Sequence, residues 1–179
     1  MKRIKLTAFV MLAFALAQSS QAQTFKKGTN ALNVGIGVGG NYGYWDGGSS
    51  LPQFGVSFEH GTWEIPGPGV ISIGGYLGHK AYKYRAYGDD WSWSYTTIGA
   101  RAAYHYTGLD MEKVDLYGGA LLGYVLFRTH GYSAASGGGA IGAFAGGRYM
   151  FSPNFGVYAE LAGGNYNLAI LNGGITLKF

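Results

Sequence analysis

Apolar side chains fall at every second position through most of the chain beyond residue 22. Leu32, Val34, Ile36 and Val38 alternate with Asn33, Gly35, Gly37 and Gly39. Phe54, Val56 and Phe58 alternate with Gly55, Ser57 and Glu59, and Ile71, Ile73 and Leu77 with Ser72, Gly74, Tyr76 and Lys80. Ile98, Ala100, Ala102, Tyr104 and Tyr106 oppose Thr97, Gly99, Arg101 and His105. The stretch from Val114 to Phe127 is apolar on both parities; Leu116, Ala120, Leu122 and Tyr124 are assigned to its outer face. Ile141, Ala143, Ala145, Tyr149 and Phe151 then oppose Gly142, Gly146 and Arg148, and Val157, Ala159 and Leu161 oppose Tyr158 and Glu160. The last stretch carries Leu171, Gly173, Ile175, Leu177 and Phe179 on one face, with Thr176 and Lys178 between them. A period of two with turn residues between the runs predicts eight strands and no core helix.

The connections alternate in character. Long ones are expected after strands 1, 3 and 5 ("NYGYWDGGSSLP", "YRAYGDDWSW", "THGYSAASGG") and short ones after strands 2, 4 and 6 ("EIPGPG", "TGLDMEK", "SPN"); the connection near "NYN" after strand 7 is short and departs from the alternation. A soluble sandwich buries apolar faces and shows charged ones to water, whereas a membrane barrel turns its apolar faces outward. The polar faces here carry much glycine and little charge, which suits a narrow barrel interior better than a solvated surface. Aromatic residues gather near strand ends: Tyr42, Tyr44, Trp45, Tyr82, Tyr84, Trp91, Trp93 and Tyr95 toward one rim, and Trp63, Tyr104, Tyr106, Tyr149, Phe151, Phe155 and Phe179 toward the other. Both sets are expected to form belts at the two membrane interfaces. The expectation is an all-β chain forming an eight-stranded antiparallel transmembrane up-and-down β-barrel.

Composition changes that picture only at its start. Residues 1–22 open with the basic "MKRIK", continue through the apolar "LTAFVMLAFALA" and finish at small residues before Gln23. They read as a signal peptide, being too short to span a bilayer, and leave residues 23–179 as the barrel domain. Removing Lys2, Arg3 and Lys5 takes Lys plus Arg from 13 to 10 against 9 Asp plus Glu, a net charge of +1. Affinity for nucleic acid is therefore not expected. The absence of cysteine excludes a disulfide scaffold and a lipid-modified N-terminal cysteine.

A terminal Phe179 preceded by Leu177 and Ile175 at alternate positions, behind a signal peptide and eight strands, resembles the small OmpA-like and OmpX-like outer-membrane barrels of Gram-negative bacteria, often labelled porin-family proteins. The resemblance spans the whole mature chain. It implies residence in the outer membrane as a monomer among lipid and lipopolysaccharide. It also implies recognition of Phe179, Leu177 and Ile175 by the barrel-assembly machinery. No peptidoglycan-binding module is expected after strand 8.

Candidate chemistry is sparse. Glu59, Arg101, Arg148 and Glu160 share the inward parity, with Lys80, Asp115 and Lys178 as possible additions. Buried charges must pair, so Glu160 is expected to meet Arg148 or Arg101. A structural plug is expected from such a cluster, with a gated ion path as the alternative. Gly35, Gly37 and Gly40 fit G-x-G-x-x-G, but no helix follows to cradle a phosphate. His60, His79, His105 and His130 lack metal-ligand spacing, and no cofactor is expected. His105 and Thr107, two apart on one face with Glu112 nearby, could form a set for acyl transfer, though at the periplasmic end, away from outer-leaflet lipid A, while His130 and Ser133 fall on the outer side without shared strand spacing; a lipid-modifying enzyme of the lipid A deacylase kind is the alternative. Asp46, Asp89 and Asp90 beside Trp45, Trp91 and Trp93 could touch a sugar, a host surface or a cation, with a solvated loop above the aromatic belt as the expected role.

Overall fold

The structure is a computed structural model and describes residues 25–40, 49–86, 89–109, 111–129, 136–165 and 168–179. The signal peptide, Tyr42, Tyr44, Trp45, Asp46, His130 and Ser133 lie outside the described residues. Eight long strands form the sheet: β1 Asn30–Val38, β2 Gln53–Ile65, β3 Gly69–Ala86, β4 Asp89–Tyr106, β5 Val114–Thr129, β6 Ser136–Met150, β7 Phe155–Gly164 and β8 Leu171–Lys178. Each pairs antiparallel with its sequence neighbours, and β1 pairs with β8, which closes the barrel. A two-residue strand, Ser49–Ser50, adds to β3 beside Lys83 and Tyr82. Closure leaves none of the eight with a free edge along its paired length, as the alternation in the sequence anticipates.

The seam runs past the formal strand ends. Asn30 N donates to Phe179 O at 2.8 Å and Phe179 N donates to Asn30 O at 3.0 Å. The short connections 66–68, 107–113 and 151–154 share one end of the barrel with Phe25 and Phe179; this is the turn end. Val38, Gln53, Ala86, Asp89, Thr129, Ser136, Gly164 and Leu171 mark the other, the loop end.

Burial follows the expected parity. Ile36, Leu77, Ile98, Leu122, Ile141 and Leu161 are exposed on the outside, while Asn33, Glu59, Ser72, Arg101, His105 and Thr176 are buried within. The polar set is thus the interior and the apolar set the exterior. At the turn end Trp63, Tyr104, Tyr106, Tyr149, Phe151, Phe155 and Phe179 are all exposed, and Tyr149, Phe151 and Phe155 pack ring to ring. A bulge sets the place of Trp63. Gly61 pairs with Ser72 but Trp63 with Ile71, so Thr62 is an extra residue that turns the indole to the outer face.

Two expectations change. The long connection after strand 3 is mostly sheet: β3 and β4 pair without interruption from Gly69–Tyr106 to Ala86–Asp89, leaving only residues 87 and 88 between them. Tyr82, Tyr84, Trp91, Trp93 and Tyr95 do not form an outward belt. They share the inward parity of Lys80 and Arg101, Tyr82 is buried and stacks on Trp93, and Tyr95 packs against Leu121, Val125 and Ala140. The polar residues Lys83, Arg85, Ser92, Ser94 and Arg128 take the opposite parity. The polarity of the wall inverts above His79 and Thr96 because each strand there has already outrun the apolar band.

Candidate functional site

Strand register brings the interior charges together. Asp115 lies directly opposite Arg148, and Arg148 Nη1 donates to Asp115 Oδ2 at 2.6 Å. Glu59 and Arg101 occupy one row with Gly74 between them. Arg101 Nε lies 2.8 Å from Glu59 Oε1, in ion-pair contact though off the line of a hydrogen bond. Gly146 separates Tyr117 from Glu160 in the same way, and the Tyr117 hydroxyl donates across it to Glu160 Oε2 at 3.2 Å. A Cβ on Gly146 would stand 2.9 Å from that hydroxyl, and one on Gly74 would strike the β2 backbone. Glycine at these two rows is what allows long side chains on alternate strands to cross the lumen.

The cluster has two linked halves. Arg101 Nη2 donates to Glu160 Oε2 at 2.7 Å, and its guanidinium lies 3.7 Å from the Phe144 ring centre. Arg148 joins Glu59 through Nη2, donates from Nε to Asn33 Oδ1 at 3.1 Å and lies 4.2 Å from the Tyr117 ring centre. Glu59, touching both arginines, is the bridge. The structure therefore gathers Glu59, Arg101, Arg148 and Glu160 with Asp115, and gives Glu160 to Arg101. Lys178 lines a cavity of about 10 Å³ with Asp115 and Arg148. Lys80 stands apart from the cluster: its Nζ donates to the carbonyls of Gly39, Gly40 and Leu168 at 3.1, 2.9 and 3.0 Å. Those bonds use the three donors of an ammonium.

Both ends of the lumen are stoppered. At the turn end Phe25 is buried against Ala31 and Val70 and stacks on His105, 3.6 Å between ring centres. At the loop end Leu168 and Ala169 are buried, and Lys80 holds the Leu168 carbonyl. Leu121, Val125 and Ala140 fill the space between, with Tyr76 and Tyr95 against them. Gly35 belongs to this filling, since a Cβ there would meet the Tyr158 hydroxyl at 2.6 Å, and both Gly35 and Gly37 lie within strand β1 rather than in the turn a phosphate loop requires.

His105 does not join Thr107 and Glu112. Its Nδ1 faces Asp115 Oδ1 at 2.9 Å and its Nε2 lies 2.9 Å from Ser72 Oγ. Sequence reasoning missed Ser72 as a partner because the residues are 33 apart on adjacent strands. The order Ser–His–Asp is that of a hydrolase triad. Its surroundings oppose that chemistry. Ser72 and His105 are wholly buried, Phe25 covers the imidazole and Arg148 shares Asp115. The adjoining 10 Å³ cavity holds about one water and no ester. Accordingly, Ser72→Ala is expected to leave the purified protein folded and to change no hydrolytic rate, and a serine-directed fluorophosphonate should leave the wild type unlabelled. Stoichiometric labelling at Ser72 would show that substrate reaches it. His60 and His79 bond instead to Asn30 and Thr96 on neighbouring strands.

These features define a class: a closed eight-stranded antiparallel barrel, apolar outside, with an interior filled by side chains around a buried charge cluster. No protein-family model matches the chain, and no curated protein matches it in sequence. Among solved structures, the N-terminal β-barrel domain of Pseudomonas aeruginosa OprF superposes with a TM-score of 0.51 at 15% identity, covering 87% of this chain and 100% of that one. The Yersinia pestis outer membrane protein Ail, in a phospholipid bilayer nanodisc, gives 0.49 at 16% identity over 86% of this chain and 100% of that one. The OprF superposition shows that the fold is shared.

Proposed function

We propose that the protein is a non-enzymatic integral barrel of the bacterial outer membrane, delivered there by the signal peptide at residues 1–22. Its lumen is a structural plug, and its work lies in envelope stability and in the surface its long strands present. The observation that carries this reading is the outer wall. A closed barrel whose exterior exposes Ile36, Leu77, Ile98, Leu122, Ile141 and Leu161 around its circumference is compatible with lipid and not with water. The turn end then faces the periplasm and the loop end the exterior. An ion path is disfavoured by the stoppers at Phe25 and Leu168, and a lipid-modifying enzyme by the enclosure of Ser72 and His105. We further propose that Phe179, Leu177 and Ile175 engage the barrel-assembly machinery, since they form an outward row on the closing strand.

One set of measurements tests this reading. The mature protein is expected in the outer-membrane fraction as a band whose gel mobility shifts on boiling. It should show no steady conductance in planar bilayers. Cells expressing a chain without Phe179 should accumulate less of the shifted form. A detergent-independent soluble monomer, or a large stable pore, would overturn the corresponding half of the proposal.

A further inference from the structure

β3 and β4 each contain 18 residues, whereas a tilted strand crosses a bilayer in about 9–11. Their outer apolar residues stop near Leu77 and Ile98; beyond them the outer parity is polar and the inner one aromatic. The inner face of this extension, with the facing end of β5, forms a cleft of about 420 Å³ lined by Tyr84, Trp91, Trp93, Tyr95, Phe127 and Thr129, with Ser92 at its edge. Trp91 is 48% exposed. Interfacial belts face lipid, so a membrane anchor does not account for rings on the opposite face. The volume lies within the range of about 300–1,000 Å³ common to small-molecule sites.

We propose that this cleft binds an uncharged glycan. The inference deepens the surface role proposed above and rests on the membrane reading, which places the extension in external water. The lining chemistry selects the ligand class. Two indoles, two phenols and a phenyl ring supply apolar carbon, while Ser92, Thr129, Tyr84 and the indole N–H groups supply polar atoms at intervals along it. A pyranose has the matching character, with C–H faces that pack on aromatic rings and hydroxyls at its rim. An acyl chain has no use for the hydroxyl and indole groups. An ionised ligand would find no charged side chain among the described lining residues.

Tryptophan fluorescence of the protein in lipid nanodiscs tests the proposal, with neutral linear gluco-, manno- and galacto-hexaoses as probes. The chain has four tryptophans, and Trp63 is at the turn end, so Trp63→Phe should leave the response intact. A saturable change is expected with at least one hexaose. Trp91→Ala and Trp93→Ala should each weaken it at least about tenfold, and Trp91→Tyr should restore most of it. Absence of saturation up to about 10 mM sugar, in a protein that inserts and shifts on boiling, overturns the glycan inference alone. Saturation by tetramethylammonium or phosphocholine but not by any hexaose also overturns it. So does binding of only a sulfated oligosaccharide that fades with salt and is indifferent to Trp91→Ala. Failure to insert into nanodiscs overturns the membrane reading and the inference together.

Discussion

Replacing Arg148 by methionine is expected to lower the unfolding free energy by about 3–5 kcal/mol, the cost of leaving buried ionic partners unmatched. The side chain is nearly fully buried and holds Glu59, Asp115 and Asn33 at once, so its loss takes a cation from two buried carboxylates and leaves Glu59 to Arg101 and Asp115 to His105 alone. Methionine preserves much of the volume, which separates the charge effect from a cavity effect. Urea titration of the folded barrel in lipid vesicles measures it. The double variant Glu59→Gln, Arg148→Met should be less destabilised than the sum of the two single variants, because the groups share one network. Equal stability of Arg148→Met and wild type would mean that the cluster is hydrated and contributes little.

Phe25→Ala should cost about 3 kcal/mol, near the lower end for truncating a buried phenylalanine, since water can enter the space that opens. The ring lies outside the barrel strands, yet it covers His105 and sits 5.8 Å from the Arg148 guanidinium carbon. Its loss should expose the imidazole to the turn-end solvent. Imidazole nitrogen signals of His105 should then respond to added paramagnetic reagent in the variant but not in the wild type. Conductance should stay low in both, because the Leu121–Val125–Ala140 layer and the Lys80-held Leu168 remain in place. An unprotected His105 in the wild type would show that Phe25 does not seal the lumen.

The sequence by itself determined which face of each strand turns inward. Strand side chains alternate without exception until a bulge intervenes, so Glu59, Arg101, Arg148 and Glu160 could be assigned to the interior one strand at a time. Strand β5 is apolar on both parities and its pattern alone left the faces ambiguous; the structure places Leu116, Ala120, Leu122 and Tyr124 outside, as assigned. Closure was legible too, because eight one-faced strands have no other way to remove their edges.

What the tertiary structure decided is height along the barrel. Parity carries no information about stagger between strands, and stagger determines who meets whom. It gives Glu160 to Arg101 and Asp115 to Arg148, joins His105 to Ser72 across 33 residues and lifts Lys80 out of the charge cluster to the loop-end stopper. Height also overturned the outer aromatic belt. Trp91 and Trp93 lie near the outer rim in sequence, but the strands there have passed the apolar band, and the side facing outward is the polar one. The parity that turns Lys80 and Arg101 inward already turns Tyr82, Tyr84, Trp91, Trp93 and Tyr95 the same way, but only if the strands run on unbroken; the sequence reads a loop there, and the continuous pairing of β3 with β4 up to Ala86 and Asp89 is what the tertiary structure decided.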